Sequence, residues 1–290
     1  MQIRFVTLQS RLKHFRRQFF HERENMEHKG RRLFIVRHAE RVDFTFGDWI
    51  SFCFDKSGNY KRTNLNMPES VPHRIGGPRD FFKDCPLTKI GLYQATLTGE
   101  AMKKSGVVFS HVYCSPSLRC IETCTAILKA SGNYHTLINV EPGLFEWLAW
   151  YHDGMPKWMT LQELKSYGFN ICMDYKPVIT VDELQGKLEP SEQYYMRSLC
   201  TTETILKRTG AAGKTILLVG HAATLDTCTR QLVGNPPRNG QELQSLVYHI
   251  PYCSVAMAEE EDGKWKLAEP PFPSLMHSNN ARFDWTCLLS

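Results

Sequence analysis

Short apolar runs alternate with longer stretches of helical periodicity along most of the chain, and capping residues, prolines and glycines mark the changes of period. Arg32–Val36 (RLFIV) and Thr215–Val219 (TILLV) are apolar runs of the length and β-branched content expected of buried parallel strands. Val107–Cys114 reads as a third strand. Between the first and third, Thr88 is placed to cap a helix running to Lys104, with apolar positions at Ile90, Leu92, Leu97 and Ala101 and a stop at Gly106. Ser115-Pro116 predicts an N-cap and a proline at the first helical position, opening a helix towards Lys129. Thr160-Leu-Gln-Glu163 is a capping box closed by Gly168, and a long helical pattern runs from Ser191 to about Lys207. Gly220-His221 precedes a predicted helix to Val233. Asp262-Gly263, between Cys253–Ala258 and Lys264–Leu267, predicts a hairpin on a sheet edge. Strands and helices in this alternation predict a three-layer α/β/α fold with a mainly parallel central sheet, whose ligands bind beyond the carboxyl ends of the strands.

Two segments break the alternation. Residues 43–85 carry scattered aromatics, Pro and Gly. Residues 143–158 hold Phe145, Trp147, Trp150, Tyr151 and Trp158. Insertions of this length in a compact domain are usually functional, and both are expected at the mouth of an active site.

The net charge of +5 suggests nucleic-acid binding until it is located. Residues 1–32 hold nine Lys/Arg against three acids, so the remaining chain is close to neutral. A basic face on the folded body is what a phosphate backbone requires, so nucleic acid is excluded as a partner. The leader (1–30) reads either as a mitochondrial transit segment, being Arg-rich and without an acid before Glu22, or as a flexible linker, and residues 31–290 as the folded domain. No apolar run is long enough to span a membrane. The ten cysteines come with no secretory signal, no glycosylation sequon and no CxxC pair, which predicts reduced thiols in a cytoplasmic protein.

Three segments just past predicted strands carry candidate chemistry: Arg37-His38-Ala39-Glu40-Arg41, Ser115–Arg119 (SPSLR), and Gly220-His221-Ala222. In a parallel sheet they converge on one rim. Three guanidiniums and two imidazoles there form an anion site suited to a phosphoryl group. His38 is the candidate nucleophile, Arg37, Arg41, Arg119 and His221 the phosphate-binding set, and Glu146 the proton donor for the leaving oxygen. Aromatic neighbours are expected to desolvate Glu146 and raise its pKa.

Strand–RHAER, strand–SPSLR and strand–GHA together resemble the histidine phosphatase (phosphoglycerate-mutase-like) superfamily. LFIVRHAERVDFTFG, HVYCSPSLRCIET, VEPGLFEW and KTILLVGHAATL narrow the resemblance to one branch. That branch contains the phosphatase domains of the ubiquitin-associated and SH3 domain-containing proteins and the insect ecdysteroid-phosphate phosphatases. The likeness runs from about residue 31 to about 289. It implies a phosphohistidine intermediate on His38, catalytic roles for Glu146 and His221, no metal or cofactor, and a homodimer. The implied substrate is a steroid phosphate or a phosphotyrosine. Without an upstream module before residue 31, the chain looks like the stand-alone type. Ala39 stands where the family's motif has Gly. If that position requires φ > 0, Ala costs roughly 1 kcal/mol, and its methyl beside the phosphate would trim activity.

Three rival readings follow. A cysteine phosphatase needs Arg six positions after its Cys, and Cys114 to Arg119 is five. A phosphosugar mutase fits the aromatic insertions poorly. A non-catalytic phosphate-recognition module is favoured only by Ala39, since binding alone needs no proton donor.

Overall fold

The computed structural model describes residues 30–184, 188–210, 213–276 and 284–289. The leader expectation falls on residues 1–30 and, Gly30 apart, lies outside the described residues. One six-stranded sheet organises the rest: β1 (Arg32–Arg37), β2 (His111–Cys114), β3 (Ile138–Val140), β4 (Thr215–Gly220), β5 (Val255–Glu261) and β6 (Lys264–Ala268), in the order β3-β2-β4-β1-β5-β6. The first four are parallel to one another. β5 runs antiparallel to β1 and β6 antiparallel to β5, so the predicted hairpin forms the far edge. Its turn has Asp262 and Gly263 both at positive φ, as an Asp-Gly two-residue turn requires.

The central strands are buried on both sides, and their alternation splits the core in two. Phe34, Val36, Val112, Cys114, Leu217 and Val219 face one layer, where helices α1 (Lys89–Lys104) and α2 (Leu118–Ser131) supply Ala95, Met102, Ile121, Cys124 and Ile127. Leu33, Ile35, Tyr113, Ile216 and Leu218 face the other, where α4 (Ser191–Thr209) contributes Ile205 and Leu206 and α5 (Gly240–Val247) contributes Leu246. The predicted three layers are present. The short helix α3 (Leu161–Tyr167) has the predicted capping box on Thr160 and ends at Gly168 in the left-handed region.

Local corrections have physical causes. The second strand begins at His111 rather than Val107. The helix after it begins at Leu118 with Ser117 as N-cap. Its first free amide is satisfied by Asp84, whose Oδ1 accepts from Leu118 N at 2.8 Å, so Ser115 is released from capping. The helix predicted to reach Val233 is regular only over Thr224–Thr227. Beyond it, Thr229 turns its hydroxyl onto the carbonyls of Leu225 and Asp226, and the backbone continues as turns to Gly234. Gly91, in the first turn of α1, sits so close to Glu40 that a Cβ would lie 2.3 Å from its carbonyl oxygen. That approach lets the loop after β1 rest directly on the helix. Among the described residues no helix is long and apolar enough to cross a membrane.

Candidate active site

The carboxyl ends of β1, β2 and β4 bring His38, Arg119 and His221 together, as their parallel register dictates. Strand β3, which the sequence reading missed, delivers the fourth element by leading into Pro142–Leu144 and Glu146. His38 is 1% exposed. Its amide donates to Gly220 O at 2.9 Å, tying β1 to the start of the His221 loop. Its Nδ1 lies 2.8 Å from Ala39 O, an acceptor only, so Nδ1 carries the proton and Nε2 keeps its lone pair. Burial and the charges of Arg119, Arg37 and Arg41 hold its pKa well below 6.5, so the ring is neutral at physiological pH.

Each arginine is aimed by a separate contact. Arg37 donates to Ile250 O and lies over the Tyr252 ring at 4.5 Å. Arg41 makes a two-pronged contact with Asp43, at 2.7 and 2.6 Å, and its guanidinium lies 4.1 Å from the Phe44 ring centre. Arg119, fully buried, donates from Nη2 to Glu146 Oε2 at 3.1 Å and to His221 Nδ1 at 3.2 Å. Because a guanidinium only donates, His221 Nδ1 is an acceptor, and its protonated Nε2 donates to Ser115 Oγ at 2.9 Å. Burial is the largest influence on His221 and lowers its pKa well below 6.5, despite the opposing pull of Glu146. The Nε atoms of Arg37 and Arg119 are buried without an acceptor. Buried donors of this kind suit an anion.

A cavity of about 730 Å³ opens over this cluster. Of the predicted set, Arg37, His38, Arg41 and Glu146 line it, while Arg119 and His221 lie immediately behind, against the Glu146 carboxylate. Both insertions form its walls as expected: Phe44, Trp49, Ile50, Phe82 and Lys83 from the first, Trp150 and Tyr151 from the second. A third wall, Gln244, Val247 and Tyr248 at the end of α5, was not foreseen. Its signal was present in the sequence, since Asn239 and Glu242 form a capping box at the start of that helix. The roles of Ser115, Asp43 and Tyr151 were also missed, because each depends on a partner that only the fold supplies.

The expected rise in the Glu146 pKa is not found. Burial does push it up, but His221, Arg119, Arg41 and the Tyr151 hydroxyl, which donates at 2.7 Å, outweigh it and hold the carboxyl at about 2. The carboxylate therefore occupies, on Arg119, the kind of position a phosphoryl oxygen would take.

Ala39 is not strained. Only Lys83, Cys253 and Asp262 among described non-glycine residues have positive φ, and the Ala39 methyl is fully buried in the core. Its amide donates to Thr123 Oγ1 at 3.0 Å. Ala39→Gly is therefore expected to leave kcat/KM within about twofold while lowering stability by about 1 kcal/mol, read by steady-state kinetics and thermal unfolding. A tenfold gain in activity would contradict this placement.

Guanidiniums, neutral imidazoles and a carboxylate are thus gathered beyond the carboxyl ends of parallel strands. The chain belongs to the Histidine phosphatase superfamily (branch 1), whose family model matches residues 74–270. It is 48% identical over 264 residues to the ecdysteroid-phosphate phosphatase of Drosophila melanogaster, covering 90% of this chain and 34% of that protein. It is 44% identical over 258 residues to ubiquitin-associated and SH3 domain-containing protein B of Mus musculus, covering 87% of this chain and 40% of that protein. The chain thus spans well under half the length of these curated relatives. The crystal structure of the ecdysone phosphate phosphatase of Bombyx mori in complex with tungstate superposes with a TM-score of 0.76 at 34% identity, covering 89% of this chain and 99% of that one. The sequence-level resemblance and the fold it implied both hold.

Proposed function

We propose that this chain is a metal-independent phosphomonoesterase that acts through a phosphohistidine on His38 and takes phosphate esters of bulky, hydrophobic leaving groups. The observation that carries this reading is the His38 tautomer, with Nδ1 spent on Ala39 O and a neutral Nε2 in a wall shared with Arg37 and Arg41. In the first step the Nε2 lone pair forms a bond to phosphorus as the ester P–O bond breaks, and a proton on Glu146 passes to the leaving oxygen. The arginines stabilise the equatorial oxygens as charge redistributes. In the second step the Glu146 carboxylate takes a proton from water, the water oxygen bonds to phosphorus, and the P–N bond breaks to restore His38. This charge stabilisation comes from fixed guanidiniums, so turnover is expected to persist in a chelator.

The leaving-group preference rests on the aromatic walls and on the rim, where Phe44, Phe82 and Tyr248 are largely exposed around the cavity mouth. A volume of about 730 Å³ accommodates a rigid polycyclic alcohol. Similarity to proteins named for ecdysteroid phosphate supports a steroid phosphate as that ester. The test is kcat/KM on an ecdysteroid phosphate and on a phosphotyrosine peptide, with His38→Ala as blank. We expect the steroid ester to be preferred by at least about tenfold, the scale of ~1.4 kcal/mol of extra apolar contact. Preference for the peptide would assign the aromatic walls to a phosphotyrosine ring instead. No turnover above the blank on either would leave a phosphate-recognition module.

A further inference from the structure

The segment that carries Glu146 has little regular structure of its own, being two short 3₁₀ turns, Pro142–Leu144 and Leu148–Tyr151, with extended residues between them. Its path is fixed from outside by one buried ion pair. Arg197, on α4, donates from Nη1 to Gly143 O at 2.8 Å and Phe145 O at 2.9 Å, and from Nη2 to Glu146 O at 3.2 Å. The remaining edge of the guanidinium meets Glu189, at 2.7 Å from Nε and 2.8 Å from Nη2. Glu189 completes the clamp: Oε2 accepts from Leu148 N at 3.2 Å, and its carbonyl accepts from Trp147 Nε1 at 2.7 Å. Both side chains are only 7% exposed.

Stability gives a poor account of such a pair, because a buried ion pair is often no better than apolar residues of the same volume. Direction gives a better one. Three carbonyls spread over residues 143–146 converge on one planar cation, which only a guanidinium fork can satisfy at once. The side chain that emerges from this clamped backbone is the one that meets Arg119 and Tyr151 over the cavity.

We infer that Arg197 and Glu189 are a positioning pair that aims the Glu146 carboxyl at the leaving oxygen, an inference that rests on Glu146 being the proton donor. Arg197→Lys keeps the charge but cannot reach three carbonyls and a carboxylate together. It is expected to lower kcat/KM on an alkyl phosphate by about 10- to 100-fold, the scale of a misplacement of order 1 Å, because kcat/KM reports the first phosphoryl transfer and not the phosphoenzyme hydrolysis common to every ester. The loss in kcat/KM on p-nitrophenyl phosphate, whose p-nitrophenolate leaves without a proton, should stay below about threefold. Combined with Glu146→Gln, Arg197→Lys should add little further loss on the alkyl ester, since both remove the same proton transfer. Glu189→Gln, which preserves shape, should show the same selectivity in weaker form and serves if Arg197→Lys does not fold. Equal losses on both esters, or a full additional loss in the double variant, would reduce the pair to a structural role and overturn the inference. If Glu146→Gln itself fails to discriminate between esters, the acid assignment falls and this inference with it. If Glu146→Gln discriminates and neither Arg197→Lys nor Glu189→Gln does, only the positioning role falls.

Discussion

His38→Ala is expected to lower kcat/KM by at least about 10⁴-fold on any phosphate ester the chain accepts, because it removes the proposed nucleophile. The neighbours of His38 offer no substitute. Cys114 lies at the end of β2, but its thiol is fully buried in the core. Burial and the adjacent Cys124 and Cys120 push its pKa well above the ordinary thiol value, so it stays protonated and unreactive. Cys114→Ser should therefore keep most of the turnover, within about threefold, and show its cost in thermal stability instead. The decisive comparison is kcat/KM for the two variants together with trapping of the phosphoenzyme. An acid-labile, base-stable phosphoprotein should form in the wild type and in Cys114→Ser but not in His38→Ala. Equal loss of activity in both variants would sink the histidine assignment.

What the sequence made legible were features decided within one segment. Strands β1 and β4 declare themselves by apolar runs buried on both faces, and the helix caps by residue types whose side chains bond their own backbone. The convergence of the three candidate segments follows, because parallel strands must end on the same side. What escaped depends on partners distant in sequence. Strand β3 is only three residues long and has no periodicity to detect. Ser115 looked like a cap because no local feature reveals that Asp84, from the first insertion, takes the capping role and leaves Ser115 to His221. The same kind of contact reversed the expectation for Glu146. Aromatic neighbours do desolvate it, as the sequence implies, but the charges that outweigh burial come from His221, Arg119 and Arg41, in segments far from Glu146 in sequence. Ala39 erred in the opposite sense, since a departure from a family motif suggested strain that the backbone does not have.

The low pKa of Glu146 poses the question of where its proton comes from, and the answer sets the pH dependence. Lowered below its ordinary value by the surrounding charges and the Tyr151 hydroxyl against the effect of burial, Glu146 is a carboxylate in the free enzyme at any ordinary pH. On the proposed mechanism, a phosphoryl group entering the arginine cluster displaces that carboxylate from Arg119 and neutralises the guanidiniums. Burial is then the dominant influence left, and it raises the carboxyl pKa. A monoester that arrives as the monoanion brings the proton with it. The productive complex thus contains one proton that free substrate loses with a pKa of about 6. Above that value kcat/KM should fall by about tenfold per pH unit. On the acid side, activity should persist well below pH 6.5, because the depressed His38 pKa keeps the nucleophile neutral there. Glu146→Gln removes the proton acceptor within the complex. It should cost about 10² to 10⁴-fold in kcat/KM on an alkyl or steroid phosphate, and much less on p-nitrophenyl phosphate, whose oxygen leaves unprotonated. With p-nitrophenyl phosphate the variant should also lose the decline above about pH 6, since the dianion no longer meets a carboxylate competing for Arg119. Kinetics from pH 4 to 9 on both esters test the two halves separately. A uniform loss across leaving groups would remove Glu146 as the acid, whereas an unchanged decline above pH 6 in the variant would mean that the proton the site requires resides elsewhere.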